Sequence, residues 1–292
     1  MNLPIVVGVD GSEASLRAAD WAADEAALRG VPLRLVHASL WECYERAVFP
    51  AASERWERIL TDVLVVAAAH RARQRVPDMK IDTQVVPEGP VPVLIHEAHR
   101  ASALILGSRD RGGVAELLQG SVGLTVAGLA DCPVIVVRCG HEDGDRPGTH
   151  GRVVLGVGEE AASANVIRFA LEEAERRGAV LEAVRAWRRP AHETTDHPLL
   201  VGEPAHVRGE RAVQALEAAL REAPAGVRLH KRAVEGPARQ VLLDASQDAD
   251  LLILGARRRP GHFGLHLGRI AHAALTHSAC PVALVPEQPR HP

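Results

Sequence analysis

Residues 103–138 read ALILGSRDRGGVAELLQGSVGLTVAGLADCPVIVVR. An apolar run, Ala103 to Leu106, ends at Gly107. An Arg- and Gly-rich loop follows, then Gly120-Ser121, a run with helical apolar spacing, and a second apolar run from Val134 to Val137. The order predicts strand, glycine turn, loop, helix N-terminus, helix, strand. Such a segment suits an anion. Gly107 lets backbone approach a ligand at the carboxyl end of a strand, and Gly120 and Ser121 open a helix whose first N–H groups lack internal partners. Ser121 either caps that helix or donates its hydroxyl to a phosphate. A tight strand-to-helix turn with a serine cap and no ligand accounts for the same spacing.

The segment occurs twice. Asp250 to Gly255 repeats Ser102 to Gly107 at an offset of 148 residues, and Gly268 and Cys280-Pro281 repeat Gly120 and Cys132-Pro133 at the same offset. Ile5-Val6-Val7-Gly8-Val9-Asp10 returns as Val153-Val154-Leu155-Gly156-Val157-Gly158. One offset held across the chain indicates duplication, and the unit is too long for a solenoid repeat, so each copy is expected to be a whole domain. The expected domains are residues 1–140 and 151–287, joined by the polar linker GHEDGDRPGTHG at 140–151.

The chain's 292 residues suit two domains, and 47% hydrophobic content suffices for two cores. With only 3% aromatics, Val, Leu, Ile and Ala must do the packing. A net charge of −3 argues against a nucleic-acid binder held by phosphate contacts. The four cysteines, Cys43, Cys132, Cys139 and Cys280, form no Cys-x-x-Cys pair. Cys132 and Cys280 precede equivalent strands, as small buried residues would. A reducing, cytoplasmic setting is expected, with no leader and no membrane span.

Along the chain, strands are predicted at 3–9, 33–38, 81–86 and 103–106, with helices at 13–29, 54–75 and 91–100. Ser12 is the expected cap of the first helix, whose core side is read as Ala18, Trp21, Ala22 and Leu28. The second copy repeats the alternation with strands at 153–158, 180–186 and 227–234 and helices at 162–177, 204–222 and from Pro237. Strand-helix alternation of this period implies a parallel doubly wound five-stranded sheet in each copy. Ligands of such sheets bind at the carboxyl ends of the strands, where Asp10, Ala38 and Gly107 all fall.

Gly107-x-x-Asp110, nine residues, then Gly120-Ser121 resembles the nucleotide signature of universal stress proteins: Gly, two residues, Gly, nine residues, Gly, then Ser or Thr. Val7 to Ser12 is similar to that family's first strand and turn, Leu35-Val36-His37-Ala38 to its second strand, and Asp131 to Val134 to its entry into the last strand. The resemblance covers the chain twice, as in tandem members. It implies a Rossmann-like fold and an ATP site. Asp10 would sit by the adenosine with Val9 and Ala38 beneath it. Gly107, Ser108 and Arg109 would approach ribose and phosphates, and Gly120, Ser121 and Val122 would hold the phosphates. It also implies edge-strand dimerisation, here Val134–Val137 with Val282–Val285 in an intramolecular pseudo-dimer, with a homodimer as a further form.

Two departures bear on ligand binding. Asp110 stands where the second glycine belongs. In the second copy Gly158 replaces the aspartate, Arg258 the second glycine and Arg269 the serine. The first copy is therefore expected to bind ATP weakly and with Mg²⁺, and the second to persist as a partner domain. A cationic pocket built on Arg257, Arg258, Arg259 and Arg269 is the alternative.

His262, His266, His272 and His277 lack the accompanying pattern of a zinc site, and glycines interrupt the run. Arg71, Arg73 and Arg75 read as a solvated helix end. No phosphate-binding Lys loop or nucleophile elbow is present. An enzyme reading reduces to slow ATP hydrolysis, and a third reading is a ligand-free interaction protein.

Overall fold

A computed structural model describes residues 3–38, 53–108, 122–138, 150–158, 163–188, 205–257 and 267–287. The chain divides into two compact units, the first built on residues 1–147 and the second on 148–255 with 269–288.

The first unit alternates β1 (Ile5–Gly8), α1 (Glu13–Arg29), β2 (Leu33–Ala38), α2 (Ser53–Arg75), β3 (Ile81–Val86), α3 (Pro90–Ala98), β4 (Ala103–Ser108), α4 (Val122–Leu129) and β5 (Val134–Arg138). Its strand order is β3-β2-β1-β4-β5, with parallel pairing throughout. The central strands are apolar on both faces because helices cover both: α1 and α2 pack together on one side, α3 and α4 on the other. Ile5, Leu33, Leu35, Leu104, Ile105 and Ile135 are fully buried. Strand β3, at the edge, has no buried residue, and Asp82, Thr83 and Val85 are exposed.

The second unit repeats the plan as β6 (Arg152–Gly156), α5 (Ala164–Arg177), β7 (Val180–Trp187), α6 (Ala205–Ala219), β8 (Leu229–Glu235), α7 (Ala238–Ser246), β9 (Leu251–Ala256), α8 (Arg269–His277) and β10 (Val282–Pro286). Its order is β10-β9-β6-β7-β8, and β6 pairs in parallel with β7 and β9.

The repeat extends to packing. Gly8 leaves room for Leu106 and Leu94, whose methyls would lie 2.9 and 3.2 Å from a Cβ there. Gly156 does the same for Leu254 and Leu242, at 2.5 and 3.1 Å. Gly8 and Gly156 thus each admit two leucines from their own unit, a constraint the one-strand sequence pattern does not show.

Two expectations need correction. Leu28 is 41% exposed and lies off the buried stripe of α1. That face instead continues through Glu25, Ala26 and Arg29: the Glu25 carboxylate is fully buried and accepts from Arg29 Nε at 2.6 Å. Residues 25 and 29 are four apart and share a face with 18 and 22, whereas Leu28, seven residues after the buried Trp21, stands in the last turn where the cover over that flank has ended. The second unit repeats the pair as Glu173 and Arg177, both buried. The other correction concerns α2. Arg71 is not simply solvated: it holds Asp20 of α1 through Nε and Nη2, the latter at 2.6 Å, and Arg75 Nε holds Asp24 at 2.7 Å. Those carboxylates raise both guanidinium pKa values.

The second strand of each unit diverges in charge. Arg34 in β2 reaches Asp82 and Glu97. Its repeat partner, Glu182, is buried and accepts from Arg152 and Arg232. The central position is an ion-pair hub in both units with its sign exchanged, while its partners come from different repeat positions.

Candidate functional site

In the first unit the chain runs outward from β1 to β2 and β3, then returns to the other side of β1 with β4. The order reverses between β1 and β4, so the crevice at the carboxyl ends of these two strands is the topological switch point. The register Ile5↔Ala103 through Val7↔Ile105 brings Val9 and Asp10 to one lip and Gly107 and Ser108 to the other.

The turn after β1 is highly organised. Asp10 accepts the Ser12 amide at 2.9 Å and the Ser12 hydroxyl as well. Ser12 caps α1, accepting Ser15 N–H at 3.3 Å. The buried Ser15 hydroxyl donates to Ser12 O at 2.8 Å and accepts the Asp10 amide at 3.2 Å. Gly11, at φ +79°, makes this turn possible. Sequence reasoning assigned the cap to Ser12 and missed Ser15, a serine inside a helix that its apolar neighbours disguise.

Val9 is engaged on both sides. Its N–H donates to Val36 O at 2.9 Å, and its carbonyl accepts from His37 Nδ1 at 2.7 Å. That bond requires a proton on Nδ1, because a carbonyl can only accept. His37 was not singled out from sequence as a site residue. Arg185, its partner at the 148-residue offset, donates to Gly158 O, one residue further along the repeat than Val9. In each unit a side chain of the second strand thus holds a carbonyl just past the end of the first, though not at the same repeat position.

Gly107 meets protein as well as crevice. A Cβ there would lie 2.2 Å from Ala14 O and 2.8 Å from Ser15 N, both backbone atoms of the first turn of α1. Its glycine is therefore demanded by strand-helix contact whatever a ligand does. Ala38 closes β2 beside Val86, and Ser108 pairs with Arg138. Val122 is the first residue of α4. Arg109, Asp110, Gly120 and Ser121 lie outside the described residues, as do Cys43, Cys139, His262, His266, Arg258 and Arg259. The structure thus gathers Val9, Asp10, Ala38, Gly107 and Ser108 at one end of the sheet.

Cys132 and Cys280 are free and buried, and burial pushes both thiols up to about 12. Among the described residues no group of three or more His, Cys, Asp or Glu could hold a metal ion, and no helix is long and apolar enough to cross a membrane.

A parallel sheet with its switch point at β1/β4 in one unit and β6/β9 in the other defines a tandem doubly wound α/β protein. The family model described as Universal stress protein family matches residues 1–138 and 149–286, and the chain belongs to that family. Two universal stress proteins of Mycobacterium tuberculosis are each 30% identical to it. One aligns over 318 residues, covering 100% of this chain and 98% of its own, and the other over 285 residues, covering 95% of each. A universal stress protein from Archaeoglobus fulgidus, 15% identical, superposes with a TM-score of 0.65 over 97% of this chain and 96% of its own; that likeness speaks for the fold.

Proposed function

We propose that the first unit binds an adenine nucleotide, ATP in the first instance, and that occupancy changes which protein partners the chain engages in the cytoplasm. The observation that carries this reading is the switch-point crevice with Asp10 on one lip and Gly107 on the other. A carboxylate is an acceptor with several lone-pair sites, suited to ribose hydroxyls. The donor chemistry fits too: Val122 opens α4, and the adjoining Gly120-Ser121 would supply amide and hydroxyl donors to the phosphates. Mg²⁺ would offset the charge of Asp110 beside them. Hydrolysis, where it occurs, is slow, because the chain offers no evident base.

A second reading, a ligand-free interaction protein, draws on the internal satisfaction of Val9 and on the ties between Asp10 and Ser12. Mass analysis of small molecules carried through native purification separates the two. The nucleotide reading expects an adenine nucleotide with the wild-type protein and its loss in Asp10→Ala. Absence from both, together with no calorimetric binding of Mg-ATP at millimolar concentration, overturns it.

A further inference from the structure

The buried carboxylate of Glu182 is shared by two guanidiniums. Arg152 Nη1 holds one oxygen at 3.2 Å and Arg232 Nη1 the other at 2.5 Å, while both arginine side chains stay 40% or more exposed. Two cations on one anion leave a positive charge over. Parallel register puts residues 152, 182, 230 and 232 on one face of the sheet, with Arg228 next in the same row. Along β8 that face presents Arg228, His230 and Arg232 at alternate positions, all exposed. The same row in the first unit reads Lys80, Asp82 and Gln84, and the hub there sets one arginine between two carboxylates. The basic row belongs to the second unit alone.

The row runs along an open edge. Strand β8 ends the second unit's strand order, and β7 is its neighbour among the described strands. Helix α6 packs on β7 and β8, whereas α7 packs on β6 and β7. The Arg228 carbonyl accepts Leu181 N–H at 2.8 Å, and Gly236 N–H donates to Trp187 O at 2.8 Å, so the even-numbered residues direct their peptide groups at β7. In a parallel ladder the residues between them, Leu229, Lys231 and Ala233, direct theirs outward. Lys231 adds a positive charge on the opposite face of the strand. Two negative groups bound the row: Glu182 is neutralised within it, and Glu235 closes β8 at its carboxyl end.

We propose that the open edge of β8 docks an extended acidic segment of a partner protein, which adds a strand to the second unit's sheet. The outward peptide groups of Leu229, Lys231 and Ala233 supply the main-chain hydrogen bonds of strand addition. Acidic side chains at every second position of the guest come opposite Arg228, His230 and Arg232, where opposite charges stabilise a cross-strand pair. The surplus charge beside Glu182 favours the same guest. The row also excludes a guest: a second copy of β8 would set like charges against each other, so it selects against pairing with itself. An oligonucleotide would answer the cations but not the donors and acceptors of the strand edge. The surface does not depend on nucleotide binding by the first unit.

The test uses the full chain and two short synthetic peptides of one composition, one alternating Glu with Thr and the other carrying the same residues in two blocks. With the alternating peptide at up to about 1 mM, hydrogen exchange is expected to show new protection at residues 229–235. Fluorescence anisotropy is expected to show it binding about fivefold more tightly than the block peptide, because only alternation puts every carboxylate on the basic face. Arg228→Gln with Arg232→Gln should weaken binding about fivefold through the loss of two cross-strand charge pairs. Ala233→Pro removes an outward N–H while leaving the charge and the ladder to β7 intact, and should weaken binding by about as much. The exchange pattern and the peptide comparison use the wild-type chain, so they stand whatever the stability of the variants. No protection at 229–235, equal binding of the two peptides, or binding that ignores either set of substitutions overturns the proposal and marks the row as a solvated face. A single-stranded oligonucleotide that protects 229–235 more strongly than the alternating peptide overturns it in favour of a nucleic-acid guest.

Discussion

Gly107 lies against Ala14 so closely that a single added methyl would sit 2.2 Å from the Ala14 carbonyl oxygen. Neither partner can yield easily, since one is a buried strand and the other the first turn of a capped helix. Its repeat counterpart, Gly255, faces the end of a flexible glutamate instead.

That contrast makes the first prediction. Gly107→Ala should destabilise the first unit by roughly 2–3 kcal/mol, the upper range for forced overpacking. Gly255→Ala should cost under about 1 kcal/mol, because Glu287 can swing aside. Differential scanning calorimetry of the full chain checks the pair, and equal losses would show that the Ala14 contact is looser than it stands. Gly107→Ala accordingly reports on folding first, which is why Asp10 is the better position for testing a ligand.

The buried Glu25–Arg29 and Glu173–Arg177 pairs carry the second prediction. Removing one partner leaves an uncompensated charge in the interior, so Arg29→Ala should cost about 3–5 kcal/mol. Replacing both residues by Leu and Met should cost much less, or nothing, because the desolvation penalty disappears with the pair. Arg71→Ala, which opens a half-exposed tie to Asp20, should cost under about 1 kcal/mol and lose its effect in high salt. Urea unfolding at two salt concentrations distinguishes the three. An Arg29→Ala loss no larger than that of Arg71→Ala would contradict the assigned burial.

These pairs also show where sequence ran out. Strand-helix alternation, the repeat offset and the cap at Ser12 were legible, because each rests on local pattern: apolar runs, glycine stops, a serine before a helix. The parallel sheets and the family followed from them. Leu28 was misplaced because hydrophobicity alone was asked to choose the buried face, and a Glu with an Arg one turn later can occupy that face as a neutralised pair. His37 on Val9, Glu287 on Gly255 and the two leucines on Gly8 are contacts across many residues of sequence, so no local window contains them. The residues expected to hold phosphates stand in the glycine-rich loop, where the sequence alone still speaks.

The buried thiols give a pH-linked prediction. An unfolded cysteine ionises near 9, whereas Cys132 and Cys280 are held neutral to about 12 by desolvation. A pKa raised on folding contributes stability that is complete below the unfolded value and is lost as pH rises through the folded one. Thermal stability should therefore decline between about pH 9 and 12, less steeply in a Cys132→Ala, Cys280→Ala double variant. In native protein at pH 8, peptide mapping after iodoacetamide should find both residues unmodified, and label at either one would mean that the sites open to solvent.

The last prediction concerns Asp110, which stands where the family signature has glycine. A carboxylate about 6 Å from a phosphate charge, at an effective dielectric of about 20, opposes binding by ~3 kcal/mol before screening. A bound Mg²⁺ would bridge the two and cancel most of that repulsion, so calorimetry should find ATP binding at least tenfold weaker when Mg²⁺ is chelated. Asp110→Gly should then bind ATP more tightly in the absence of Mg²⁺ and lose most of the ion's effect, because the charge that needed the ion is gone. Asp110→Asn separates charge from backbone freedom: it should follow glycine in its indifference to Mg²⁺ while keeping the side chain's bulk. ATP affinity that ignores Mg²⁺ in the wild type and does not move in Asp110→Gly would place this carboxylate away from the phosphates and leave the signature's second glycine without a role in this chain.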